Sequence, residues 1–335
     1  MNKSSAVFGF GEWLMRLNPA DHLRFDQATS LHLHYGGAEA NVLASLTSWG
    51  MPSALVSTLP NNPIGDAALS QLRALGVDTS YIQQGPGRMG LYFLEEGSGM
   101  RDSQVVYDRA GSSFAIDTRY RDWSTLLNGG QWFHLSGVTP ALSPSLLTES
   151  IQAIKQAKAS GLTTSFDLNY RSQLWVRDQA AEAFKQIMPW VDVYVGMDSD
   201  MATLFGVKPA PENANAAEYF IQEIHRMYGC KWAATTVRES ISGGQIRWSA
   251  LLFDGKNIYH SSTYDLSVRD RVGTGDAFTA GLIYAYQQGY SIEEALEFAT
   301  AAGAWKHSVL GDVNRVSLSE INSLVKGHRG GSIRR

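Results

Sequence analysis

The sequence predicts an α/β fold in which a mostly parallel central sheet carries helices on both faces and a small β-sheet lies beside it. From Trp132 onward, short apolar strands alternate with amphipathic helices of ten or more residues, the pattern of a parallel sheet. Before that point several segments alternate between apolar and polar residues, as strands with one solvated face do. No repeat or low-complexity linker interrupts the sequence, so one domain over residues 1–335 is expected.

The composition is that of a globular enzyme and argues against several other classes of protein. Hydrophobic residues make up 44% of the chain and charged residues 18%, which is too apolar for a disordered protein. The net charge of -4 gives no electrostatic basis for nucleic-acid binding, and a single cysteine, Cys230, excludes an intramolecular disulfide. Apolar runs are too short to span a membrane and no signal-peptide core follows Met1, so a cytoplasmic location is expected.

The elements before residue 130 have distinct signals. Buried strands are predicted at 6–11 and 53–58, and helices over about 38–49 and 64–75. Alternating strands are predicted at 12–17 and 31–35, and a hairpin at 88–94 and 103–109. The alternating strands and the hairpin together predict a half-exposed sheet built from segments 12–36 and 86–112.

The second half of the chain supplies βα units. Strands are predicted at 132–136, 162–166, 191–195 and 231–237, with 249–253 as part of a hairpin. Helices are predicted at 143–160, 177–188, 277–288, 292–307 and 317–326. Ligands of such sheets bind beyond the carboxyl ends of the strands, so the residues that follow each strand are the first candidates for a site.

A glycine-rich turn before a late helix is the strongest candidate for chemistry. Gly273-Thr274-Gly275 brings backbone N–H groups and the positive end of a helix to one point, which suits a phosphate in transfer. Asp276 stands at the same point and could accept a proton from an attacking hydroxyl. The alternative is that Asp276 only caps the helix. The helix N-terminus also favours the ionised carboxylate, so a low pKa and weak basicity are expected for Asp276.

Two further stretches are candidates for ligand binding. Gly36-Gly37 opens a helix whose first turn carries Asn41, where a polyol could meet an amide side chain and backbone N–H groups; a plain loop-to-helix junction is the alternative. Arg171 follows the predicted strand 162–166, and its planar fork suits a carboxylate or phosphate. A surface arginine on a βα loop is the alternative there.

Together these features resemble the ribokinase-like (PfkB) carbohydrate kinases over nearly the whole chain, and within that family the kinases of 2-keto-3-deoxygluconate. The resemblance rests on the stretches 35–41, 90–92, 106–112, 167–171 with 174–175, and 270–280. It implies a ribokinase-like fold whose small sheet acts as a lid, and ATP-dependent phosphorylation of the terminal hydroxyl of 2-keto-3-deoxygluconate.

The resemblance also implies roles for individual residues. Asp276 would be the catalytic base, and Gly273, Thr274 and Gly275 would supply anion-hole amides. Substrate binding would fall to Gly36, Gly37, Asn41, Tyr92, Tyr107, Arg109, Asn169 and Arg171. Tyr92, Tyr107 and Arg109 would reach in from the lid, and Arg171 would pair with the carboxylate of the substrate. A neutral hexose would leave both arginines without a carboxylate partner.

ATP and Mg²⁺ are the expected cofactors, although the sequence departs from the family pattern at both sites. The nucleotide loop would contain Thr236, Arg238, Gly243 and Gly244, with its glycines later than usual. At the magnesium motif, Asp200 replaces the usual Glu, and the usual Asn is absent. Asp270 could help to hold a monovalent cation as in some relatives, with a structural role as the alternative.

Other functions remain open on the sequence. A kinase of the same family acting on a neutral sugar such as fructose, or on a nucleoside, would share most of these residues. A non-catalytic sensor of sugar or nucleotide is suggested by the altered nucleotide loop. A dinucleotide oxidoreductase is disfavoured because no Gly-x-Gly-x-x-Gly follows the first strand. A homo-oligomer, built on a dimer through an apolar outer lid face, is expected from Leu31, Leu33, Leu91, Phe93 and Val105.

Overall fold

Two sheets organise the chain in a computed structural model, which describes residues 6–98, 100–197, 204–212, 214–242 and 244–328. The strands are β1 (Ala6–Phe10), β2 (Leu14–Asn18), β3 (His32–Gly36), β4 (Ser53–Pro60), β5 (Ile82–Gly85), β6 (Leu91–Glu95), β7 (Gln104–Asp108), β8 (Gly130–Ser136), β9 (Thr163–Asp167), β10 (Val193–Val195), β11 (Trp232–Ser242), β12 (Gln245–Phe253), β13 (Ile258–His260) and β14 (Tyr264–Ser267). The helices are α1 (Ala38–Ser48), α2 (Pro63–Ala74), α3 (Trp123–Leu126), α4 (Pro144–Ala159), α5 (Arg177–Ile187), α6 (Ala216–Tyr228), α7 (Thr274–Gln287), α8 (Ile292–Lys306) and α9 (Leu318–Val325). No helix among the described residues has the length and apolar character needed to cross a membrane.

The large sheet is mostly parallel. Its order is β13-β12-β11-β10-β9-β8-β1-β4-β5, with β14 paired to β12. All pairs from β11 to β5 are parallel, whereas β12 pairs antiparallel with β11, β13 and β14. The carboxyl ends of β1, β8 and β9 therefore meet at one edge of the sheet, where ligands of such folds bind.

Helices cover both faces of this sheet because successive strand residues point to opposite sides. In β1, Val7 packs in a cluster with apolar residues of α1, α7 and α8, whereas Phe8 packs in a second cluster with α4, α5 and α6. Both side chains are almost fully buried. The predicted α/β fold with helices on two faces is confirmed.

The small sheet has the order β3-β2-β6-β7, and its strands fall within the two segments predicted for it. Its inner face buries Tyr92 and Leu94 against Leu14, with Val105 packed against them. The placement of Val105 on the outer face was therefore wrong. Val106, paired with Phe93, is the outward residue, because the side-chain direction alternates along β7.

Several elements differ from the prediction, and strands β5, β13 and β14 and helix α3 were not predicted. The segment expected to form a nucleotide loop from Thr236 to Gly244 is instead mostly strand, because β11 continues to Ser242 in a long hairpin with β12. The stretch from Arg238 to Ser242 is mostly polar, and cross-strand pairing with a partner that buries Ile246 and Trp248 holds it in the strand. Helix α6 was not predicted, although Asn215 caps its start and Gly229 ends it in a left-handed conformation.

Candidate active site

Asp276 and Asn41 meet between the first turns of α7 and α1. Asn41 Nδ2 donates a hydrogen bond of 2.7 Å to Asp276 Oδ2, and Asn41 Oδ1 accepts one of 3.3 Å from the N–H of Gly37. The amide of Asn41 thus links the helix opened by Gly37 to the carboxylate. The helix cap is Gly273, which makes no side-chain bond, and Asp276 is the third residue of α7. The interpretation of Asp276 as a capping residue was therefore wrong.

The pKa of Asp276 is raised from 3.8 to about 7, mainly because burial penalises its charged form. The hydrogen bond from Asn41 opposes this rise, as does the positive charge of Arg171, while the charges of Asp167 and Asp312 add to it. The expected low pKa of Asp276 was therefore wrong, since desolvation outweighs the helix terminus. A carboxylate with a pKa near neutrality is a competent general base at physiological pH.

The turn before Asp276 presents unpaired backbone amides. Among the described residues, none accepts a hydrogen bond from the N–H of Thr274, Gly275 or Asp276, as expected in the first turn of a helix. Gly273 has φ 78°, and a Cβ built on it would lie 2.0 Å from the carbonyl oxygen of Asp312. A Cβ built on Gly275, in contrast, meets nothing within 4 Å. The space beside Gly275 is therefore open, and an anion in this recess could bind the free amides of the turn.

Close packing explains the diglycine at the start of α1. A Cβ on Gly36 would meet the side chain of Asp312 at 2.2 Å, and one on Gly37 would meet the carbonyl oxygen of Glu12 at 2.0 Å. Buried Glu39 links the same helix to the end of β8, because its Oε1 accepts hydrogen bonds from the N–H and hydroxyl of Ser136 at 2.8 Å. The geometry positions the N–H and side-chain amide groups of this turn next to Asp276.

The two predicted substrate arginines differ in their surroundings. Arg109 is 7% exposed and its Nε donates a hydrogen bond of 2.7 Å to Glu12 Oε2. Arg171 is exposed, its guanidinium makes no hydrogen bond or ion pair with another described residue, and its positive charge acts on Asp276. Asn169, between Asp167 and Arg171, has φ 35° and donates its N–H to the Asp167 carboxylate at 3.2 Å. Of the two arginines, Arg171 is the one whose guanidinium is available to a ligand.

The two tyrosines of the small sheet, Tyr92 and Tyr107, make contacts within the protein. Tyr92 donates its hydroxyl hydrogen to Asp312 Oδ2 at 2.5 Å, and burial raises its pKa well above its ordinary value. The Tyr107 ring lies 6.3 Å from the Tyr92 ring and 5.8 Å from Cζ of Arg109. Neither tyrosine forms a described hydrogen bond to Asp276.

A buried ion cluster beneath the glycine turn was not anticipated from the sequence. Fully buried Arg16 of β2 donates to Asp270 at 2.8 Å, to Asp312 at 3.3 Å and to Glu96 at 2.8 Å. Asp270 also accepts hydrogen bonds of 2.9 Å from the N–H groups of Val272 and Gly311. These bonds join the small sheet to the glycine turn and support the structural role of Asp270.

Of the predicted nucleotide residues, Arg238 lies beside the glycine turn. Its Nη2 donates a hydrogen bond of 3.4 Å to Thr274 Oγ1, and its Cζ lies 5.6 Å above the Trp248 ring. Thr236 is half-buried in β11, and Gly244, with φ 83°, follows the end of that strand at the hairpin tip. Gly243 and Asp200 lie outside the described residues. The described part of the chain contains no group of three or more His, Cys, Asp or Glu residues able to hold a metal ion.

The sequence model that defines the pfkB family of carbohydrate kinases matches residues 5–317 of this chain. The chain belongs to the pfkB family of carbohydrate kinases. The resemblance of the diglycine helix and the glycine turn to this family is thereby confirmed, and the enzyme is a carbohydrate kinase.

Individual relatives cover almost the whole chain. The 2-dehydro-3-deoxygalactonokinase of Haloferax volcanii is 31% identical over 96% of this chain and 97% of its own. The crystal structure of 2-dehydro-3-deoxygluconokinase from Thermotoga maritima is 41% identical, covers 96% of this chain and 100% of its own, and superposes with a TM-score of 0.93. An E. coli protein solved in complex with ATP and Mg²⁺ shares the fold at 24% identity, with a TM-score of 0.81 over 97% of this chain and 100% of its own.

Proposed function

We propose that this kinase transfers the γ-phosphoryl group of ATP to the terminal hydroxyl of 2-keto-3-deoxygluconate. The observation that carries the proposal is the exposed guanidinium of Arg171, which has no described partner and acts electrostatically on the base Asp276. A sugar acid brings one carboxylate, and an arginine fork pairs with both of its oxygens. The activities named for the Haloferax and Thermotoga relatives support the same class of substrate.

The chemistry requires a base, an anion hole and an aligned hydroxyl. As the hydroxyl oxygen bonds to the γ-phosphorus, its proton passes to the carboxylate of Asp276. The bond from that phosphorus to the β–γ bridging oxygen breaks, and ADP leaves with the electron pair. The free N–H groups of Thr274 and Gly275 would stabilise the negative charge that accumulates on the phosphoryl oxygens. Asn41 holds the carboxylate of Asp276 in place.

ATP would approach the glycine turn along the β11–β12 hairpin, where Arg238 supplies positive charge beside Thr274. Mg²⁺ usually keeps several waters and takes only one or two protein carboxylates in addition to phosphate oxygens. When bound, the ion neutralises charge on the phosphates. A monovalent cation at Asp270 is not part of this proposal, because Arg16 occupies that carboxylate directly.

A substrate panel tests the proposal. We would measure ADP release by the purified protein with 2-keto-3-deoxygluconate, its galactonate epimer, fructose and a nucleoside, each with ATP and Mg²⁺. The highest kcat/KM is expected for a keto-deoxy acid. A higher kcat/KM for fructose or the nucleoside would show that the enzyme acts on a neutral substrate and not on a sugar acid. Tight sugar binding without ADP formation would instead support the alternative that the protein is a non-catalytic sugar sensor.

We further propose that the small sheet pairs with the same sheet of a second copy. An apolar row crosses its outer face, formed by Leu33, Leu17, Phe93 and Val106 in register. Leu33 is 49% and Val106 54% exposed, and such a row across four strands typically marks an interface. Light scattering should give the molar mass of a dimer or a larger oligomer for the wild type, and that of a monomer for Leu33→Lys. The control Ile64→Lys changes a side chain of similar exposure outside this sheet. A monomeric wild-type protein would contradict the proposal.

A further inference from the structure

Lys306 is a fully buried lysine at the last position of α8, with an exposed fraction of 0%. Lysine is almost never fully buried unless it is paired, because removing an ammonium from water costs several kcal/mol. Its Nζ donates a hydrogen bond of 3.0 Å to the carbonyl oxygen of Val309, and it takes part in none of the described salt bridges. An ammonium has three donors, so the carbonyl alone does not account for its burial.

The side chain of Lys306 ends beneath the glycine turn. A Cβ built on Gly273 would lie 3.4 Å from Cε of Lys306, so the end of the lysine lies next to the space that a side chain at Gly273 would fill. Burial lowers the pKa of Lys306, while the nearby carboxylates of Asp270, Asp312 and Asp276 raise it and Arg16 lowers it. The amine is therefore within electrostatic reach of the base and of both buried acids.

Arg16, and not Lys306, makes the direct contacts with the buried acids. Arg16 already contacts Asp270 at 2.8 Å and Asp312 at 3.3 Å, with both acids almost fully buried. The lysine reaches neither of them within salt-bridge distance in the described structure. What distinguishes its position is its closeness to Gly273, whose neighbours Thr274 and Gly275 have free backbone amides.

We propose that Lys306 is a positioning residue for phosphoryl transfer, which supports Gly273 from below and places a fixed positive charge behind the anion-hole amides. Preorganised charge near the point where negative charge develops stabilises the transition state more than the ground state. Lys306 acts through the turn, since the backbone of Gly273 separates it from the recess. The inference rests on phosphoryl transfer at Asp276 and not on which carbohydrate is the acceptor.

The first test replaces the charge and keeps the volume. Lys306→Met should lower kcat about 10–100-fold, with the KM of the sugar changed less than about threefold, because the charge matters mainly in the transition state. The matched control Lys256→Met removes an exposed lysine and should leave kcat unchanged. The assay uses whichever carbohydrate the wild-type enzyme phosphorylates best, so a failed sugar-acid assignment leaves this test intact.

The second test separates charge from structural support. Lys306→Ala should lose activity similarly and recover part of it when ammonium or methylammonium is added. Tetramethylammonium at equal ionic strength is too large for the vacated space and should not restore activity. A wild-type kcat in Lys306→Met would overturn the proposal. So would a loss of activity in both variants that no amine restores and that parallels a loss of folded protein by circular dichroism.

Discussion

Asn41 Nδ2 lies 2.7 Å from Asp276 Oδ2, and this single hydrogen bond joins residues 235 positions apart in the sequence. It connects the first turns of α1 and α7. The side-chain amide of Asn41, which is expected to bind the sugar, therefore also contacts the residue that is expected to deprotonate the sugar. The bond favours the ionised carboxylate, whereas burial favours the neutral acid. The basicity of Asp276 is therefore set by the balance between these two effects.

Replacing Asp276 by Asn should remove the base and keep the shape of the site. We expect kcat to fall about 10²–10⁴-fold, while the sugar and ATP still bind, because general base catalysis typically contributes that much. Single-turnover kinetics and calorimetric titration would separate the two effects. Asp66→Asn, at an exposed position on α2, is the control. An Asp276→Asn enzyme with wild-type turnover would show that another group accepts the proton.

The pH dependence of kcat/KM should follow the ionisation of Asp276. Because the base must be deprotonated, activity should rise with pH through a midpoint of about 7. Asn41→Ala removes the hydrogen bond that lowers this pKa, so its midpoint should move to higher pH. A higher KM in Asn41→Ala would lower kcat/KM at every pH, so the pH at the midpoint of the curve can still be compared with that of the wild type. An unchanged midpoint in Asn41→Ala would mean that the observed ionisation belongs to another group.

The same ionisation should affect stability. The pKa of Asp276 is about 7 in the folded protein and near 3.8 in the unfolded chain, so the folded state binds the proton more tightly. Its contribution to stability is present below pH 4 and is lost as the pH rises to 7. Asp276→Asn should therefore raise the free energy of unfolding by about 2–4 kcal/mol at pH 8 and much less at pH 4. Urea titrations at the two pH values would check this; an equal effect at both would contradict it.

The sequence predicted the fold and the main catalytic candidate because both depend on local patterns. Alternating strands and helices determine a parallel sheet, and Gly273 to Asp276 form one contiguous turn. The partners of those residues were not predictable in the same way. Glu12, Arg16 and Asp312 reach the site only through packing of distant segments, and nothing in their local sequence distinguishes them from ordinary polar residues. The pKa of Asp276 also depends on burial, which the sequence does not contain.

Two glycines of the turn before Asp276 should respond to alanine in opposite ways. Gly273→Ala forces a side chain into a left-handed conformation and against the carbonyl oxygen of Asp312, so it should lose at least about 2 kcal/mol of stability. Gly275→Ala meets open space and gains helix propensity, so its stability should be unchanged or up to about 1 kcal/mol higher. Its methyl group projects into the recess, however, and kcat should fall. Thermal unfolding and turnover of both variants check this; full activity in Gly275→Ala would place the phosphoryl group elsewhere.

Arg171→Ala should distinguish a carboxylate-bearing substrate from a neutral one. Loss of a charge-assisted hydrogen bond of about 1.5–3 kcal/mol corresponds to a KM for the sugar acid about 10–100-fold higher. The KM for ATP should stay the same. Arg177→Ala, an exposed arginine at the start of α5, is the matched control and should behave like the wild type. Arg109→Ala is a poorer probe, because it would leave Glu12 buried without its ion-pair partner and destabilise the fold. If Arg171→Ala raised the KM of a neutral sugar by the same factor, the arginine would affect sugar binding in general and not the carboxylate specifically. An unchanged KM for the acid would remove the carboxylate contact on which the substrate proposal depends.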